Sequence, residues 1–120
     1  MKGLANKLFE SREVAHMLHL SSEKYAKHIA LQEYYDGILD LIDDLVESYQ
    51  GQFELIGNYM SIDADKVDTS DVIKYIQSVV EYIKKERSIQ LKEEDTHLQS
   101  IVDDIVCLLY KTIYKLKYLQ

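Results

Sequence analysis

The chain has no proline, no tryptophan, one cysteine and only four glycines among its 120 residues. With so few breakers, little interrupts a helix, and the many tight turns of an all-β chain have no residues to make them. A lone cysteine, Cys107, excludes an internal disulfide and points to a reducing, cytoplasmic setting. Its neighbours Val106, Leu108 and Leu109 predict a buried, inert thiol. The longest apolar run is about six residues, Ile105 to Tyr110, against the ~20 that a membrane span requires. Met1 to Glu10 lacks the apolar stretch of a signal peptide.

Hydrophobic residues make up 47% of the chain and charged residues 29%, enough apolar mass for a core and too much for disorder. Residues 1–120 are expected to form one domain. The net charge of −7 disfavours nucleic acid and anionic membranes as partners. Lys111, Lys115 and Lys117, set among Tyr110, Tyr114 and Tyr118, are a local exception. Lysines that complement a helix C-terminus and tyrosines that pack at i, i+4 account for it. Tyrosine occurs ten times; its amphipathic ring predicts shallow cores and subunit contacts.

Hydrophobic periodicity predicts four helices. The first runs from about Gly3 to Leu20 on Leu4, Leu8, Phe9, Met17 and Leu18. Ser21 and Ser22 then read as an N-cap. The second helix extends from about Glu23 to Gln50, with the stripe Leu31, Tyr35, Ile38, Ile42, Leu45 and Tyr49, and Gly51 as its stop. Gln52 to Ser70 has no sustained period. A link this long between compact elements needs a reason, and a crossover that returns along the bundle supplies one. Ser70 and Asp71 open the third helix, which carries Ile73, Ile76, Val79, Val80 and Ile83. Thr96 to Gln99 has the pattern of a capping box before the fourth helix. The expected architecture is an all-α four-helix bundle with one long crossover between helices two and three, the ferritin-like arrangement.

His16, His19 and His28 lie within thirteen residues of one another, the first two at i, i+3 on one helical side. Asp43 and Glu47 are i, i+4 neighbours, close enough to share a cation. Imidazole mixed with carboxylate suits iron, zinc or manganese. The same acidic row, extended by Asp36, Asp40 and Asp44, is also what the solvated face of any amphipathic helix carries. Glu13/His16 and Glu94/His97 have the Glu-x-x-His spacing of di-iron bundles. On one straight helix His28 and Asp43 stand ~22 Å apart, so one chain cannot bring both to one ion. A shared metal therefore requires two copies with antiparallel second helices.

These residues resemble the Dps-type mini-ferritins, which protect DNA in starved bacteria. His16-Met17-Leu18-His19 resembles that family's histidine-rich end of helix one. Tyr25 with His28 resembles its aromatic–histidine element, and Asp43 with Glu47 its Asp-x-x-x-Glu pair. The segment from Asp95 through Ile101, Asp104, Leu109, Lys111 and Tyr114 resembles its last helix. Gln32 stands where the family has a carboxylate, and Ser48 where it has an arginine. The basic N-terminal tail is absent. The run from His28 through Tyr35 to Gly51 is also similar to small ferritin-like proteins of large tailed phages. The resemblance implies a homodimer or larger homo-oligomer with an iron site at the two-fold interface, built from His16, His19, His28, Asp43 and Glu47. The competing expectation is a metal-free interaction module, a phage protein that docks on a host protein. Exposed Tyr34, Tyr59, Tyr75, Tyr82 and Tyr118, with histidines in separate environments, would mark it.

Overall fold

The computed structural model describes residues 1–120. Its helices are α1 (Lys2–Ser21), α2 (Tyr25–Gln52), α3 (Val72–Gln90) and α4 (Thr96–Tyr118), with a short 3-10 turn at Ala64–Lys66 and no strand. The bundle measures 44 × 27 × 21 Å. Each helix places one apolar line inward. Leu4, Leu8 and Ala15 come from α1, and Leu31, Ile38, Ile42 and Leu45 from α2. Ile76, Val79 and Ile83 come from α3, and Leu98, Val102, Ile105 and Leu109 from α4. The steps of three and four residues are those that keep side chains on one helical side. No helix is long and apolar enough to cross a membrane.

Helix directions follow from what meets at each end. Ser21, Lys24, Lys27, Val72, Leu116 and Gln120 surround one shallow depression, which places the starts of α2 and α3 beside the ends of α1 and α4. At the other end the Met1 ammonium donates to Gln90 Oε1 at 2.8 Å. There Gln52 also donates to Asp95 at 2.8 Å, and His97 Nε2 donates to Gln52 Oε1 at 2.6 Å. Helices α2 and α3 are therefore parallel. Contacts join α1 to α2, α2 to α4, α4 to α3 and α3 to α1, so every neighbouring pair is antiparallel and α2 lies diagonally from α3.

Residues 53–71 must return the full length of the bundle, and they do so across the outer side of α1. Tyr59 meets Phe9 edge-on at 5.8 Å. Ile62 and Ala64 lie beside Glu13 and Met17, and Val67 to Asp71 beside Lys7 and Tyr75. Gly57 (φ 56°) and Asn58 (φ 48°) are consecutive left-handed residues. Gly and Asn are the residues that tolerate this conformation, and they turn the chain after α2.

Several local expectations change. The break between α1 and α2 is real, but Lys24 caps α2 without a side-chain hydrogen bond. Ser22 instead bonds the Lys24 carbonyl. Helix α2 continues through Gly51, and the Phe53 N–H closes it on the Tyr49 carbonyl. Asp71 caps α3 by accepting from the Lys74 N–H at 3.1 Å. The capping box at Thr96 does not form: Asp95 precedes α4, and the Gln99 side chain is held by Arg87 and the Lys92 carbonyl. Cys107 is exposed. Successive helical residues differ by about 100°, so apolar sequence neighbours do not share its side of α4. Tyr34, not Tyr35 or Tyr49, fills the core at 1% exposure, and Tyr75 is buried as well.

Candidate metal centre

The tight α1–α2 turn brings His16, His19 and His28 together. The carbonyl of His28 accepts from His19 Nδ1 at 2.7 Å, and the carbonyl of His19 accepts from His28 Nδ1 at 2.8 Å. A carbonyl only accepts, so each Nδ1 carries the proton and each neutral ring keeps its lone pair on Nε2. The two rings stack at 3.6 Å with 22° between their planes. The His19 carbonyl, in the last turn of α1, accepts from the Ser22 N–H at 3.4 Å as well. His16 stacks on Tyr35 at 4.3 Å. It stands 6.1 Å from His19 with the rings tilted by 54°, and Tyr35 meets His19 edge-on at 5.1 Å.

This packing sorts the histidines by what they can hold. Imidazole binds a metal in the ring plane, with the nitrogen about 2.1 Å from the ion. Two nearly parallel rings 3.6 Å apart do not converge on one ion. His16 and His19 are tilted and not stacked, so that bar does not apply to them. The His28 carbonyl fixes the tautomer of the His19 ring. His19 is 6% exposed. Its Nε2 is not among the buried polar atoms left without a partner, which are Asn6 Oδ1 and Arg12 Nε.

Asp43 and Glu47 are exposed on α2, and neither forms an ion pair. With Tyr35 and Leu39 they fall at four-residue spacing, so the four make one oblique line that winds about 120° around the helix from Tyr35 to Glu47. No three His, Cys, Asp or Glu side chains converge on one point within the chain. His97 sits at the far end of the bundle, bonded to Gln52. Glu94 precedes α4, so the Glu94/His97 pair does not share a helix. Glu13 and His16 are both on α1, where Glu13 lies 3.6 Å from Arg12. Tyr35 is the residue sequence reasoning missed. Its seven-residue distance from His28, two helical turns, was the available sign.

Comparison with known proteins adds relatives to this geometry. The chain is 31% identical over 109 residues to the uncharacterized 14.6 kDa protein in the mobD-ri intergenic region of Enterobacteria phage T4, an alignment covering 91% of this chain and 81% of that one. No solved structure matches. Residues 19–116, most of α1's last turn through α4, match a family of unknown function, DUF5856, and the chain belongs to that family.

Proposed function

We propose that this protein is a ferritin-like subunit that dimerises through the α1–α2 side of its bundle and binds iron or a similar divalent metal between copies. The observation that carries the reading is the line on α2. Its carboxylates, Asp43 and Glu47, have no partner within the chain, and the imidazoles gather between the levels of Tyr35 and His28, about two to five turns away. An antiparallel pair of second helices would place each set beside the other. The up, down, down, up order of the helices, with one long crossover, is the arrangement of ferritin-like bundles.

His16 and His19 of one copy would hold the ion with Asp43 and Glu47 of its partner. His28 would keep the His19 ring in its tautomer. Iron bound by such a mixed donor set supplies one-electron chemistry. The halfway point between imidazoles and carboxylates falls close to Leu39, an apolar side chain 37% exposed. At a two-fold axis Leu39 meets its own copy.

Two expected outcomes test this. Leu39→Arg sets two like charges at the axis, so mass in solution at high ionic strength should fall from dimer to monomer with helicity unchanged. The double variant Asp43→Ala/Glu47→Ala should remain a folded dimer yet lose stoichiometric metal, read by elemental analysis of protein purified without chelator. Unchanged metal in that variant would end the site assignment.

A second reading has its own support. Leu55, on the crossover, is 81% exposed, and Phe53 and Met60 are exposed nearby. Several exposed apolar side chains on one segment suit a contact surface, as a metal-free module docking on a host protein would need. A metal-free wild-type monomer would favour it.

A further inference from the structure

We propose that the outer side of α4 docks head to tail on the crossover of a second copy of this chain. The residues involved are not those of the α1–α2 contact, so this contact stands or falls separately from the metal reading.

Tyr110, Tyr114 and Tyr118 are 47%, 53% and 66% exposed. At four-residue spacing they form a line about 12 Å long. Lys111 and Lys117 flank it. Lys84 of α3 lies 5.1 Å from the centre of the Tyr110 ring and donates to its hydroxyl at 2.8 Å. From Ile105 to Gln120 the sequence has no acidic residue. On a chain of net charge −7, this is a basic aromatic strip that remains largely exposed.

The crossover has the opposite character. Exposed Phe53, Leu55 and Met60 are accompanied by Glu54, Asp63, Asp65 and Asp68. Its one cation, Lys66, is 3.6 Å from Asp63, which leaves Glu54 and Asp65 without an ionic partner. Leucine and methionine against tyrosine rings make apolar and sulfur–aromatic contacts, and lysine faces carboxylate at the rim.

Topology decides that the occupant is another copy in a head-to-tail contact. The middle of the crossover lies on α1, which does not touch α4, and Phe53 to Leu55 sit at the end of the bundle where α4 begins, whereas Tyr110 to Tyr118 run to the opposite end. One chain cannot bring its own strips together. Two-fold pairing of either strip with itself would oppose like charges. Pairing one strip with the other is heterologous, and such contacts propagate into a ring or an open chain.

Sedimentation of the full protein in chelator reads this directly. The expected mass exceeds a dimer at low ionic strength and falls as salt rises. Lys111→Glu/Lys117→Glu, and separately Glu54→Lys/Asp65→Lys, should each abolish the salt-sensitive association at unchanged helicity. An equimolar mixture of the two variants should restore it, because each reversed strip then meets its complement. Leu39→Arg should leave it in place. A wild-type mass never above a dimer, a mixture that stays as two separate species, or loss of the salt-sensitive association in Leu39→Arg would overturn the proposal.

Discussion

Replacing Tyr34 with alanine is expected to cost about 4 kcal/mol of folding stability, the range measured for removing a large buried side chain. Total stabilities are about 5–15 kcal/mol for domains of this kind, so this single change removes a large share. Tyr34 is 1% exposed and sits where α2 meets α1. Its hydroxyl is 2.7 Å from Ser11 Oγ. Ser11 already donates its own proton to the Leu8 carbonyl at 2.7 Å, so the tyrosine is the donor between them. Phenylalanine keeps the ring and removes only that bond. Ser11 retains its carbonyl partner, and the expected cost is about 1 kcal/mol. Urea unfolding measures both, through midpoint shifts at constant slope. Equal losses for alanine and phenylalanine would show that the hydroxyl, not ring packing, supports the core.

High pH should unfold the protein abruptly. Burial raises the Tyr34 hydroxyl well above the ordinary tyrosine range, with its bond to Ser11 acting weakly the other way. Burial also raises Tyr75, reinforced by the Glu10 carboxylate that its hydroxyl bonds at 2.9 Å. The folded state thus holds two protons that the unfolded chain releases near pH ~10. Stability is fully present below that value. It falls as pH rises above it, by about 1.4 kcal/mol per pH unit for each tyrosine. Phenolate absorbance from the last tyrosines and loss of helical dichroism should appear together. Tyr34→Phe/Tyr75→Phe should shift that transition to higher pH, relative to the variant's own stability at neutral pH. All ten tyrosines ionising while helicity persists would contradict the account.

The helical part of this architecture was legible wherever periodicity was unbroken. Ile76, Val79, Val80 and Ile83 of α3 point inward as their spacing predicts, and Asp71 caps that helix. Punctuation was less informative. Gly51 signals a stop, but it does not take the left-handed conformation that ends a helix, and α2 continues to Gln52. Cys107 misleads because composition averages over neighbours that a helix sends to different sides. The i, i+3 spacing of His16 and His19 was readable, but the stacking of His19 on His28 was not. That arrangement depends on the angle of the turn between Ser22 and Lys24. The exposure of Asp43 and Glu47 was also readable, whereas a contact between copies leaves no mark on one chain's periodicity.

The lengthwise crossover divides the polypeptide into two helical hairpins in series, α1 with α2 and α3 with α4. Each hairpin closes through a short turn, so its pairing needs little chain entropy and can form early. Only the meeting of the hairpins depends on the 53–71 link. Loop entropy grows slowly with length, about 0.6 kcal/mol for each doubling. Added residues near Gly57 and Asn58 would therefore burden assembly of the halves very little.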